Sequence, residues 1–201
     1  MDDIVRRGMA KWPNVPSVFG WLALDRRGQW RIKGDRIGNP MVSEFIGRNY
    51  ARDDTGRWFF QNGPQRVFVE LAYTPLVYRL EGETPNDIRL AAQTGASAAA
   101  IDVEQVLLDE DGTLLVATAD GIGLVDDRDA ETLPALFRTA RGATPSDDDL
   151  LAAMADPDHH ALGISFGGRL IPVQAIRAED VPVRFGFVRK PVPPPGVEEC
   201  Y

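Results

Sequence analysis

The chain has 201 residues, 44% hydrophobic and 26% charged, a globular balance whose length admits one sizeable domain or two small ones. A chain of this size buries roughly 70% of its unfolded surface, which excludes disorder, a disulfide-stapled miniprotein and a coiled-coil or collagen-like rod. The net charge of −8 excludes the broadly basic surface that generic nucleic-acid binding needs.

That charge is segregated. Residues 1–80 carry thirteen Lys and Arg against eight Asp and Glu, a surplus of +5, whereas residues 81–201 carry nine against twenty-two, −13. The halves are expected either to attract each other or to hold an anionic ligand at the basic half. The single cysteine, Cys200, is penultimate, so no intrachain disulfide forms and the thiol is a poor candidate nucleophile. Acids stand where a signal peptide carries cations, and no apolar run approaches the ~20 residues of a membrane helix. The expected location is cytoplasmic, with neither membrane nor nucleic acid as partner.

In chain order, Val5, Met9 and Trp12 stand at i, i+4, i+7, which predicts a short amphipathic helix packed on its own domain and ending at Pro13. Strands at 19–25 and 29–33 flank Arg26-Arg27-Gly28 as a hairpin, with Trp30 and Ile32 sharing one face. Asn39-Pro40 is an N-cap followed by proline at the first helical position. The helix it opens should bury Val42, Phe45, Ile46 and Tyr50, with Arg48 near its C-terminus.

Residues 53–72 predict a turn at 54–56, a strand at 57–61, a second turn at Asn62-Gly63 and a strand at 66–72. Thr74-Pro75 interrupts before a further strand at 76–80, and the segment reads as an antiparallel meander. Residues 107–125 look like a copy of this unit, with Gly112 in the place of Gly56 and Asp120-Gly121 near that of Asn62-Gly63. Two short helices should follow, one capped by Thr132 with Leu133, Leu136 and Phe137, the other by Ser146 with Asp149 at N3. Strands are expected at 162–166, 170–176 and 183–188, with a Gly167-Gly168 turn, before the Pro-rich tail. Its PxxP spacing fits an SH3-like partner, but a frayed tail is the simpler reading.

Few motifs carry chemistry. His159 and His160 are the only histidines, beside Asp156 and Asp158, but adjacent residues point apart and the one-face chelating spacings are absent. Asp147-Asp148-Asp149 suits the first turn of a helix, and Asp109-Glu-Asp-Gly112 is a hairpin turn rather than a calcium loop. No glycine-rich phosphate loop occurs. No metal or cofactor is expected. The loop at 61–66 is the candidate site. Gln61, Asn62, Gln65 and Arg66 lie between aromatic strands with Arg48, Arg57 and Trp58 nearby, a set of amides, guanidinium forks and ring planes suited to a planar or anionic ligand.

Phe45-Ile-Gly-Arg-Asn-Tyr50, residues 56–71 (GRWFFQNGPQRVFVEL) and Arg184-Phe-Gly-Phe-Val-Arg189 resemble a family of uncharacterised proteobacterial proteins of unknown function. The order helix, DxxGRWFF, polar-Pro loop and VFVELAYTPLVYRL is distantly similar to a second uncharacterised bacterial family. That resemblance implies a duplicated β-rich fold with a pleckstrin-homology-like C-terminal part, a nucleotide-like ligand at the domain interface and a signalling role. Here Tyr73-Thr-Pro-Leu76 replaces its Asp-Ala-Pro-Phe.

The expected architecture is α+β: two β-rich antiparallel subdomains at 17–85 and 86–190, after a helix and linker at 1–16 and before a Pro-rich tail at 191–201. The leading functional expectation is a non-catalytic ligand-binding or regulatory module for an anionic small molecule held between the subdomains. An enzyme using the His159/His160 region and an interaction scaffold using Trp12 or Trp21 are the alternatives.

Overall fold

Three Asp-x-x-Gly tetrapeptides set the strand geometry. At Asp25, Asp53 and Asp109 the backbone carbonyl accepts from the glycine three residues on, Gly28, Gly56 or Gly112, at 3.0–3.1 Å. One carboxylate oxygen takes two further backbone N–H groups, two and four residues ahead, at 2.7–3.1 Å. Each glycine sits at φ between +72° and +82°, where a side chain is strained. This is a type I turn with a glycine bulge, and it sends the chain back antiparallel.

The computed structural model describes residues 1–12, 15–82, 87–95, 101–155, 162–166 and 168–195. The first turn joins β1 (Val18–Leu24) to β2 (Trp30–Ile32), and β3 (Asp35–Arg36) follows. Helix α2 (Pro40–Arg48) comes next, then β4 (Tyr50–Arg52), β5 (Trp58–Asn62) and β6 (Gln65–Leu71). These six strands form one sheet in the order β3-β2-β1-β6-β5-β4.

The second sheet opens with β7 (Leu76–Glu81) and β8 (Arg89–Ala92), followed by β9 (Gln105–Leu108), β10 (Leu114–Thr118) and β11 (Gly121–Val125). Strands β12 (Phe137–Thr139), β13 (Leu162–Phe166) and β14 (Arg169–Ala175) extend it, giving the order β12-β13-β14-β9-β10-β11-β7-β8. The two sheets repeat one topology: β2-β1-β6-β5-β4 in the first matches β8-β7-β11-β10-β9 in the second. In each, a three-stranded meander returns its last strand parallel to the opening one, β6 on β1 and β11 on β7.

One hydrophobic cluster joins the sheets. Leu24, Trp30, Val69 and Leu71 from the first belong to the same buried set as Val77, Val106, Leu115 and Val116 from the second. Every residue of β10 is buried, as its central place in the sheet requires. A smaller cluster of Phe19, Phe59 and Phe68 lies apart from that core, with Phe19 stacked on Phe68 at 4.5 Å. Residues 186–189 tie the chain's end back to the first sheet: Val188 N–H donates to the Gly56 carbonyl at 2.9 Å and Leu71 N–H to that of Arg189 at 2.8 Å. Phe187 is buried in the shared core.

Helix α1 (Asp3–Lys11) precedes the first sheet; it buries Val5 and half-buries Met9, but Trp12 is 52% exposed rather than packed. Asn39 caps α2 by accepting from Met41 N–H at 3.0 Å. The helix stops at Arg48, so Tyr50 belongs to β4, and Val42 is 40% exposed. The meander expected through 76–80 breaks at Thr74-Pro75, because β7 pairs with β11 and β8 in the other sheet. Thr132 makes no side-chain cap and its segment is one 3-10 turn, Leu133–Leu136, with Phe137 already in β12. Ser146 and Asp149 form the expected reciprocal cap on α3 (Asp147–Ala155). Where extended chain is expected from 183, the structure has a short helix, α4 (Val181–Arg184), since Pro182 in its first turn costs no helical hydrogen bond. His159, His160, Gly167 and Cys200 lie outside the described residues.

Candidate functional site: a cleft between the sheets

Two short strands, one from each sheet, face each other across a cleft of about 350 Å³. Tyr50 and Arg52 of β4 and Trp58 of β5 line one side; Leu76 and Tyr78 of β7, with Thr94 and Asp120, line the other. Alternation along β5 turns Trp58 and Phe60 inward to the shared core. The rings interlock, Trp58 on Tyr50 at 4.8 Å and Tyr50 edge-on to Trp30 at 5.0 Å.

Most polar groups of the wall are engaged. Tyr50 Oη donates to the Pro75 carbonyl at 3.2 Å, and Thr94 Oγ1 accepts from Val77 N–H at 3.1 Å. Tyr78 Oη shares a 3.2 Å hydrogen bond with Thr118 Oγ1. Burial raises the phenol pKa of both tyrosines, for Tyr78 against a smaller opposing effect of Thr118, so both stay neutral. The exception is Trp58, 6% exposed, whose Nε1–H finds no acceptor. Its Cζ2, on the ring edge that also carries Nε1, would lie 3.6 Å from a Cβ on Gly121, at the turn beside Asp120. A buried indole N–H costs about 1–3 kcal/mol while unpaired, so a small shift of this ring toward the cleft would gain from an occupant that brings an acceptor. Arg52 and Asp120 are exposed at the rim, one charge of each sign.

The seven residues singled out in the sequence are spread over several surfaces. Trp58 is in the cleft. Arg57 and Arg66 associate with the smaller phenylalanine cluster, their guanidiniums 4.6 Å from the Phe68 and Phe59 rings, and Arg57 is also held by Asp53 at 2.8 Å. Gln61 is 1% exposed and donates to the Gly63 carbonyl, its Oε1 unpaired. Asn62 and Gln65 border a separate apolar groove of about 470 Å³ lined by Trp21, Ile32, Val42 and Phe45. Arg48 stays at the end of α2 beside Asp2 and Glu44. Sequence reading missed Tyr50, Tyr78, Arg52 and Asp120. Pairing across two sheets brings them together, and in the sequence only the likeness of residues 107–125 to 53–72 hinted at it.

Contacts from the basic half also cross to the acidic one. Arg27 forms a bidentate pair with Asp127 at 3.0 Å and Arg26 donates to Thr113 Oγ1 at 2.7 Å. Among the described residues no three His, Cys, Asp or Glu side chains are grouped to hold a metal ion.

Fold and cleft define a mixed α+β protein of two β-rich sheets. A DUF1285 family protein from Silicibacter pomeroyi DSS-3 has a similar structure, with a TM-score of 0.52 and 16% identity over 81% of this chain and 85% of that one. A DUF1285 family protein from Shewanella baltica OS155 aligns over 55% of this chain and 87% of its own, at 17% identity and a TM-score of 0.42. No curated protein matches the sequence significantly. The chain belongs to the family DUF2944, described as "Protein of unknown function (DUF2946)", which matches residues 1–192.

Proposed function

We propose that the protein is a non-catalytic ligand-binding module with regulatory use, and that its ligand is a small anionic molecule with a planar ring, held in the cleft between the sheets. The observation that carries this reading is the buried, unpaired Nε1–H of Trp58 on the cleft wall. A ring acceptor reached by a small shift of the indole would satisfy that donor, Tyr50 and Trp58 offer aromatic surface, and Arg52 offers a rim cation. Asp120 opposes the anion and favours an occupant whose charge lies on the Arg52 side. The two β-rich units serve as the walls, so occupancy would alter how they sit together, which is what a regulatory module requires.

A thermal-shift screen of nucleotides and anionic metabolites tests the reading, with intrinsic tryptophan fluorescence as second readout. A ligand at 100 times its Kd adds about 2.7 kcal/mol of stability. Trp58→Phe and Arg52→Ala should each reduce the shift while leaving the unliganded protein folded. Absence of any shift, or a shift that both variants retain in full, defeats the proposal.

A further inference from the structure

The exposed side chains of α1, and of Trp12 just past its end, are apolar and cationic together. Ile4 is 68% and Trp12 52% exposed. Arg6, Arg7 and Lys11 are exposed and have no carboxylate partner among the described residues. Ile4, Arg7 and Lys11 fall at i, i+3 and i+7, one face of the helix. The Lys11 ammonium lies 4.6 Å from the centre of the Trp12 ring. Asp3 is the one acid within the helix, and Asp2 before it is engaged by Asn49 and Arg48.

The segregation of charge agrees with this placement. The basic surplus lies in residues 1–80 and the acidic surplus behind them, so near a negatively charged plane the molecule, although −8 overall, turns its α1 half toward it. Among the described residues, six of the ten large hydrophobic side chains left exposed, Met1, Ile4, Trp12, Ile32, Met41 and Val42, fall within the first 42 residues. We infer that α1 docks the protein on an anionic lipid surface, with Ile4 and Trp12 entering the headgroup boundary and Arg6, Arg7 and Lys11 meeting lipid phosphates and carboxylates.

A bilayer fits this face better than an acidic protein does. The surface is one convex helix whose two exposed apolar side chains stand eight residues apart, roughly 12 Å at the helical rise. A protein partner needs a contiguous, complementary patch of about 500 Å² on each side. A headgroup layer accepts isolated apolar side chains between cations, and tryptophan prefers that boundary. At nine residues α1 lies on such a surface; among the described residues no helix is long and apolar enough to cross one.

The test is co-sedimentation of the full chain with phosphatidylcholine vesicles, with and without phosphatidylserine, at low and high salt. Binding should require phosphatidylserine and disappear at high salt. Each of Arg6→Gln, Arg7→Gln and Lys11→Gln should weaken it about fivefold, the ~1 kcal/mol a cation contributes near an anionic surface. Brominated lipid should quench a tryptophan in the parent and not in Trp12→Phe. All four positions are exposed, so unchanged melting temperatures separate loss of binding from loss of fold. Failure of the parent to bind phosphatidylserine vesicles at low salt overturns the inference, as does binding that the α1 variants leave intact. Binding to poly-L-glutamate without binding to vesicles also overturns it, in favour of an acidic protein partner.

Discussion

Gly56 is where the chain's end is fastened to the first sheet, and replacing it with alanine measures that fastening. Two costs arise. The residue has φ +82°, and an L side chain in the left-handed region loses about 1–2 kcal/mol. The added Cβ would also lie 2.2 Å from the Gly186 carbonyl oxygen and 3.2 Å from the Phe187 Cα, where contacts under 3.0 Å do not persist. Residues 186–188 must therefore retreat by most of an ångström. That movement strains the Val188 N–H bond to the Gly56 carbonyl and lifts Phe187 from the core. A donor left unsatisfied at the half-buried Val188 costs a further ~1–3 kcal/mol, so Gly56→Ala should lose about 2–5 kcal/mol in all. Gly142 is the internal control. It has φ +76° in the same backbone turn, its N–H donating to the Thr139 carbonyl, and nothing stands within 4 Å of its Cβ position. Gly142→Ala should lose only the ~1–2 kcal/mol of the left-handed conformation. Urea unfolding of both variants gives the comparison directly. Equal losses would refute the claim that residues 186–189 press on the Gly56 turn.

Two other perturbations read different parts of the molecule. Asp129, 6% exposed, holds Arg79 through two 2.8 Å bonds and accepts from Leu80 N–H at 2.8 Å. Asp129→Ala should cost about 3 kcal/mol by urea unfolding, because it strands a partly buried cation, and Arg79→Met on that background should recover part of the loss. Burial pushes the Asp53 carboxyl pKa up, but hydrogen bonds from Arg57 and Thr55 outweigh it and hold the group below its ordinary 3.8. A depressed folded pKa gives stability that is present above the unfolded value and lost as pH falls through the folded one. The melting temperature should therefore drop below about pH 4, less steeply in Asp53→Asn; equal slopes would contradict this.

Local chemistry was legible in the sequence where it acts over a few residues. The cap at Asn39, the reciprocal cap at Ser146 and Asp149, and the Asp-x-x-Gly turns all show in the structure because each is satisfied by neighbours in the chain. Trp12 shows the limit of periodicity. Its spacing from Val5 and Met9 marks a stripe, but only tertiary contacts decide how far along the helix that stripe is covered. Strands β3, β8 and β12, two to four residues each, are too short to show a period and exist only through their partners. Thr74-Pro75 interrupts the chain as its proline implies, yet it also switches sheets, and proline position cannot announce that. The candidate site was least legible for the same reason. The loop at 61–66 concentrates polar groups along the chain, whereas the cleft draws Tyr50 and Trp58 from one sheet and Tyr78 and Asp120 from the other.

The repeated topology and the divided charge bear on one another. In the acidic half, the cations that pair with carboxylates turn to that half's own acids: Arg128 to Asp126, Arg169 to Asp102, Arg177 to Glu179. Between the halves, Arg27 spends its charge on Asp127 and Arg79 on Asp129. The basic half pairs Arg31 with Asp25 and Arg57 with Asp53, but leaves Arg6, Arg7, Lys11, Lys33 and Arg36 without a carboxylate among the described residues. Attraction between the halves therefore consumes part of the basic surplus and leaves the rest. It stays on the outer surface of the first unit, around α1 and the β2-β3 edge, while the cleft between the sheets keeps one exposed cation, Arg52, and one exposed acid, Asp120. The two features answer to different partners: the cleft to a small molecule chosen by ring and hydrogen bond, the outer cations to an extended anionic surface chosen by field.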